Sequence, residues 1–199
     1  MTGNFEEQEL KDRLSLIENM IAEGRRKTES WGWTFLLWGV AYYVAIAWST
    51  WGSAALAWPV TMIAAALVTG VLASRKTSNQ PGTTIGRAIG SIWIAMGISM
   101  FLLFMSMGIS RRFEEHVFVA IVGAMLGMAN ATSAMILRWK MQFACAVVWW
   151  AAAVAACFGS ENQCSIVFLT AIFFCQIVFG IYAMIRESRR QRQQGAAHA

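Results

Sequence analysis

The chain has 199 residues, of which 57% are hydrophobic and only 14% are charged. A soluble domain carries about 25% charged residues, so this composition excludes an ordinary soluble globular protein. The net charge of +5 comes from 16 Lys and Arg residues against 11 Asp and Glu. The basic residues are divided among short breaks between apolar runs, a pattern that argues against nucleic acid as a partner, because a nucleic-acid surface gathers them on one face.

Six apolar runs span residues 31–51, 54–74, 87–108, 117–137, 141–158 and 164–185. Crossing a bilayer takes roughly 20 apolar residues. We therefore predict an all-α, polytopic membrane protein in which six transmembrane helices form three hairpins over residues 31–185. An N-terminal segment (1–30) precedes this domain, and a basic, disordered tail (186–199) follows it.

The Lys and Arg residues also predict an orientation. If the N-terminus is cytoplasmic and six spans follow, all basic residues except Arg111 and Arg112 lie on the cytoplasmic side. Cytoplasmic loops of membrane proteins carry such an excess. The sequence thus predicts a multi-pass protein of the inner (plasma) membrane with both termini in the cytoplasm. The first apolar run is too long for a signal core, so we expect an uncleaved signal-anchor.

Residues 4–29 predict a cytoplasmic amphipathic helix. An apolar seam along it steps by four, three and four residues, through Leu10, Leu14, Ile17 and Ile21, a spacing typical of helix pairing. The seam could bind a partner helix, from a second copy or another protein. The helix could instead pack on the protein's own cytoplasmic face or lie on the membrane. Acidic residues in its first half disfavour the membrane, since anionic headgroups repel them.

Two polar features lie in the first and second predicted hairpins. Tyr42 and Tyr43 lie in the middle of the first span, where hydroxyl groups need partners, so at least one should face another helix. The segment from Ser110 to His116 is the only charge cluster on the predicted far side. It could form an ion or ligand mouth, or its charges could simply complement the dipoles of the flanking helices.

The fourth span carries a stripe of small residues, Gly123, Gly127, Ala131 and Ala134. Such a stripe lets another helix approach closely in lipid, and glycines at the start of the third span (Gly86, Gly90) predict that this neighbour supplies the contact. Three polar residues lie on the same turn, Asn130, Thr132 and Ser133. They could form interhelical hydrogen bonds or line a substrate path.

Four cysteines are the main chemical lead. Cys157 and Cys164 flank a six-residue loop on the predicted outer side, where an oxidising compartment favours a disulfide. Cys145 and Cys175 lie further inward at similar depth. A redox relay would also need a low-pKa thiol setting such as Cys-x-x-Cys, which the sequence lacks, and buried cysteine is an ordinary apolar residue.

No catalytic residues, cofactor or metal site are predicted. The spans contain no interior Asp, Glu, Lys or Arg, and such charges usually mark ion-coupled carriers. We expect a non-enzymatic scaffold, accessory or regulatory protein that acts through residues 4–29, with the lipid bilayer and a homo-oligomer or protein partner as its contacts. The alternative is a small uncoupled transporter or channel with a path along the fourth span.

The approach to the first span, residues 16–24 (LIENMIAEG) and 32–39 (GWTFLLWG), resembles the N-terminal part of small bacterial membrane proteins of uncharacterised function. This resemblance implies a bacterial inner membrane and no particular activity. The three-hairpin plan is also similar to that of small six-span stress-associated membrane proteins, in architecture alone.

Overall fold

The computed structural model describes residues 2–77, 84–110 and 114–197. These residues form helices and short connections without a strand, which confirms the all-α prediction. The helices are α1 (Thr2–Glu29), α2 (Gly32–Trp51), α3 (Ala54–Thr77), α4 (Thr84–Ser110), α5 (Glu115–Leu137), α6 (Lys140–Phe158), α7 (Glu161–Ile172) and α8 (Phe179–Ala197). A π-helical turn, Phe173–Val178, joins α7 to α8 in one unbroken helix.

Five of the described helical segments are long and apolar enough to cross a membrane. They are Leu56–Arg75, Thr84–Ser110, Glu115–Leu137, Lys140–Phe158 and Glu161–Gln193. This finding agrees with a multi-pass membrane protein. Helix α2 is uncharged and 20 residues long, but it is not one of these five segments.

Helix α2 runs antiparallel to the long α7–α8 helix. At its start, Gly32 lies against Ala183, and one to two turns later Gly39 lies against Gln176. Further along, the Tyr43 hydroxyl donates a hydrogen bond of 2.9 Å to the carbonyl oxygen of Leu169. The expectation that one of the two mid-span tyrosines faces another helix is therefore confirmed, and α2 follows α7–α8 through most of its length.

Glycine allows two close helix crossings. A Cβ atom added to Gly123 of α5 would lie 2.8 Å from the carbonyl oxygen of Trp149 in α6. One added to Gly180 of α8 would lie 2.9 Å from the backbone nitrogen of Leu36 in α2. Contacting side-chain carbons sit about 3.5–4.0 Å apart, so neither position has room for a larger residue. These crossings hold the bundle together where lipid offers no hydrophobic driving force between helices.

The prediction that glycines of the third span pack on the fourth is wrong at Gly90. No atom lies within 4 Å of a Cβ added at Gly90, Gly97 or Gly108 of α4. Helix α4 meets α5 through large side chains instead: the indole N–H of Trp93 donates to Ser133 Oγ at 3.2 Å. The small stripe of α5 packs on α6, which follows it after a two-residue turn at Arg138, in a left-handed conformation (φ 49°).

An aromatic cluster joins the helices near the end of the bundle opposite α1. The Phe118 ring of α5 lies 5.0 Å from Trp58 of α3, 4.7 Å from Phe104 of α4 and 5.8 Å from Phe168 of α7, between ring centroids. Tyr42 of α2 also contacts Phe168, at 6.0 Å. Edge and tilted ring pairs of this kind add about 0.5–1.5 kcal/mol each beyond area burial, so five helices share one aromatic centre.

The C-terminal tail differs from the sequence prediction, because α8 continues as a helix to Ala197. Residues 186–193 are Arg, Glu, Ser and Gln, of which Arg, Glu and Gln are good helix formers. Arg186 and Arg190 also make ion pairs with α1 that keep this turn in place. The predicted disordered tail is therefore an extension of the last membrane helix.

A matched pair of glycine substitutions tests the crossings. We expect Gly180→Ala to lower the midpoint of thermal unfolding in mild detergent, by the equivalent of about 1–3 kcal/mol, because the new methyl group overlaps the α2 backbone. Gly97→Ala should leave the midpoint unchanged or raise it, since the site is open and alanine favours helix by about 1 kcal/mol. Equal midpoints for the two variants would contradict the account of close packing.

Candidate functional site

Helix α1 divides into an anchored part and a projecting part. In the anchored part, Gly24 is buried, and a Cβ added there would meet Ile85 of α4 and Leu137 of α5. In the projecting part, the seam residues Leu10, Leu14 and Ile17 are 59%, 54% and 53% exposed, while Ile21 is half-buried. The protein's own bundle therefore covers the end of the seam and leaves most of it uncovered.

The anchor ends in a buried carboxylate. Glu29 is fully buried, and its two oxygens lie 3.2 Å from Arg186 Nε and 2.7 Å from Arg190 Nη1 of α8. The arginine side chains remain about one third exposed. Removing a carboxylate from water is costly unless cations compensate it. The two arginines, one helical turn apart, supply that compensation and join the first helix of the chain to the last.

The contact between Glu29, Arg186 and Arg190, which we call the Glu29 cluster, was not predicted from the sequence. Its signals were a single acidic residue next to the first apolar run and two arginines four residues apart after the last one. Nothing in the sequence links positions 29 and 186, because their contact depends on how α2 and α8 pack.

The projecting part of α1 is stabilised locally by ion pairs between residues four positions apart. Lys11 Nζ lies 2.7 Å from Glu7 Oε1, and Arg13 Nη2 lies 2.5 Å from Glu9 Oε1. Such exposed pairs contribute about 0.3–0.5 kcal/mol each in a helix. They support a helical backbone beneath the seam without covering its apolar side chains.

The polar residues of α5 serve mostly their own helix. The Asn130 side chain donates to the carbonyl oxygen of Leu126 at 2.8 Å, and Thr132 donates to that of Met128 at 2.9 Å. Ser133 makes the contact between helices, to Trp93. Gly123, Gly127 and Ala131 are all buried. The two glycines lie against α6, so they serve to pack the helices.

The π-helical turn brings polar groups into the bundle. Cys175 Sγ lies 3.5 Å from the carbonyl oxygen of Cys145, which confirms that these two cysteines share a depth. Gln176 and Gln142 are also buried. A π-helical turn widens the helix locally and frees backbone groups from the usual ladder. Here it places a thiol next to a carbonyl of α6.

Cys157 and Cys164 are both free thiols in this structure. Cys157 is exposed, whereas Cys164 is buried. Their oxidation to a disulfide stays a prediction.

The first turn of α5 uses its charged and polar side chains in helix contacts. Ser165 of α7 donates a hydrogen bond to the Glu115 carboxylate. His116 Nδ1 lies 2.9 Å from the carbonyl oxygen of Ala156 at the end of α6. These bonds connect α5 to both arms of the α6–α7 hairpin. Arg111 and Arg112 lie outside the described residues.

No protein-family model, curated protein or solved structure matches this chain. Within the described ranges, no group of three or more His, Cys, Asp or Glu residues could hold a metal ion. The candidate functional site is therefore defined by geometry: the exposed seam of α1 and the Glu29 cluster that anchors it.

Removing the carboxylate tests the anchor. Glu29→Gln leaves two arginines against an uncharged amide, and breaking a fully buried pair costs about 3–5 kcal/mol; the partial exposure of these arginines reduces that figure. We expect trypsin to cleave after Arg25 and Arg26 several-fold faster in the variant. Glu18→Gln, an exposed site on the same helix, should cleave at the wild-type rate. An unchanged Glu29→Gln rate would show that the cluster does not hold α1.

Thiol labelling tests the cysteine pair. With both thiols free, a membrane-impermeant maleimide should label Cys157 in the folded protein and spare Cys164 until denaturation. If labelling of both instead requires prior reduction, the predicted disulfide exists. Cys157→Ala and Cys164→Ala variants assign each adduct by mass.

Proposed function

We propose that this protein is a non-enzymatic scaffold or accessory protein that recruits a partner to the membrane through the exposed seam of α1. The observation that supports the proposal is that one end of α1 is anchored to the bundle and the other end is exposed. Residues 24–29 are fixed to the bundle, whereas the apolar side chains of residues 10–17 project from it with more than half of their surface uncovered. A fixed base lowers the entropy lost when a partner binds, since the helix is already positioned.

The chemistry of the seam indicates what kind of partner it fits. Leucine and isoleucine at steps of four and three residues match an amphipathic helix that packs by the same repeat. The flanks carry both signs of charge, Glu7 and Glu9 with Lys11 and Arg13. A partner helix with a complementary apolar stripe, from another protein or a second copy, would cover the seam.

We further propose six spans, with α2 as the first and both termini on the cytoplasmic side of the inner membrane. The Glu29 cluster supports an even number. Glu29 precedes α2, and Arg186 and Arg190 follow the last apolar run (residues 164–185), yet their side chains are in contact. Residues in contact outside the membrane lie on one side of it, so the crossings between them must be even. Five spans plus α2 satisfy that condition, and the distribution of Lys and Arg favours the cytoplasm.

Lysine substitutions in the seam test the recruiting role. We expect Leu14→Lys/Ile17→Lys to lose the stoichiometric partner when the protein is purified from native membranes in mild detergent and the intact assembly is weighed by mass spectrometry. Charge at two central seam positions prevents their burial against another helix. The bundle should remain folded, because both side chains are exposed in the structure.

The matched control is Gln8→Lys/Asn19→Lys, which adds the same charge on the opposite face of α1. It should retain the partner. Loss of the partner in both variants would indicate a general charge effect, and its retention in both would refute recruitment through the seam. If Asn130→Leu abolishes flux in liposomes while the seam variant keeps it, the protein is a transporter or channel instead.

A further inference from the structure

One face of the long α7–α8 helix changes from apolar to basic at a single point. Its apolar part consists of four large side chains between 42% and 52% exposed, Phe174, Val178, Ile181 and Ile185. Their steps of four, three and four residues keep them in one line along the helix. The same spacing then continues through Ser188, Arg189 and Arg192. This line forms an apolar track that ends in hydroxyl and guanidinium groups.

An open groove lies where the apolar side chains of this helix face give way to basic ones. It is lined by Met184, Ile185, Ser188, Arg189 and Arg192. Both of its arginines are exposed. The Glu29 cluster takes the other two arginines, Arg186 and Arg190, which lie on an adjacent face of the helix. The four arginines of α8 are thus divided, two toward a buried carboxylate and two toward the groove.

The heights along the helix match the layers of a phospholipid. At 1.5 Å per residue, Arg189 and Arg192 lie about 6 and about 10 Å beyond Ile185. Ile185 ends the apolar track, which lies beside acyl chains because the helix is long and apolar enough to cross the membrane. The guanidinium groups therefore stand at the level of the lipid phosphates, where long arginine side chains can reach the headgroups.

We propose that the groove binds the phosphate of an anionic phospholipid, with Arg189 and Arg192 on the phosphate, Ser188 donating from the side and an acyl chain along the apolar track. Arginine forms paired hydrogen bonds to phosphate oxygens. The groove's lining residues hold two cations and no carboxylate, so nothing in it would bind the ammonium group of phosphatidylcholine or phosphatidylethanolamine. Phosphatidylglycerol and cardiolipin carry phosphate without that cation.

Native mass spectrometry of the full chain in detergent tests this site. The probes are dioleoyl phosphatidylglycerol and dioleoyl phosphatidylcholine, titrated separately. We expect the wild type to retain phosphatidylglycerol at least about tenfold more tightly, since each of the two basic residues near the membrane surface favours anionic lipid by about fivefold. Arg189→Gln/Arg192→Gln should reduce that preference to less than twofold.

Two further variants make the outcome specific. Arg25→Gln/Arg26→Gln removes the same charge from α1 and should keep the tenfold preference. Arg189→Lys/Arg192→Lys keeps the charge and should keep most of the preference for phosphatidylglycerol. Equal loss in the α1 variant, or no loss in Arg189→Gln/Arg192→Gln, would overturn the proposal. The proposal depends on α8 crossing the membrane and is independent of any partner of α1.

Discussion

Close approach of helix backbones at glycine is the constraint on which this bundle depends. In a soluble protein the hydrophobic effect drives apolar surfaces together. Between membrane helices it does not, because the surrounding lipid tails are as apolar as the side chains. Packing must then come from short contacts between well-matched surfaces. Gly123 and Gly127 supply them between α5 and α6, and Gly32, Gly39 and Gly180 supply them between α2 and the α7–α8 helix. Aromatic rings around Phe118 fill the wider spaces that remain.

The α2–α8 crossing has a consequence outside the apolar region. Because Gly32 and Gly180 bring the two backbones together, the residues just before α2 and just after the last span meet as well. Glu29 can then reach Arg186 and Arg190 across the gap. A contact made possible inside the bundle thereby fixes the base of α1 outside it. The seam projects from that base in a direction set by the packing of membrane helices.

Helix α8 connects the two proposed roles. One side of it holds Glu29 and so fixes the base of α1, while an adjacent side carries the groove that we propose for an anionic lipid. The arginines of the two sides alternate within seven residues, so the internal ion pairs and the proposed headgroup contact share two turns of one helix. This division needs a regular helix beyond the membrane. The continuation of α8 to Ala197 provides it.

The sequence by itself determined the apolar segments, the helical class and the positions of most connections, because hydropathy and length are local properties. It also predicted that at least one of Tyr42 and Tyr43 faces another helix, and it put Cys145 and Cys175 at one depth. Local pattern identified the stripe at Gly123 and Gly127 as a packing surface but assigned it the wrong neighbour, since every helix in lipid looks equally apolar. The open space beside Gly90 and Gly97, the pairing of Glu29 with Arg186 and the separation of Arg189 from Arg190 were decided by the tertiary structure. Each depends on which helix faces pack together, and these faces belong to segments far apart in the chain. The spacing of residues within one segment does not contain that information.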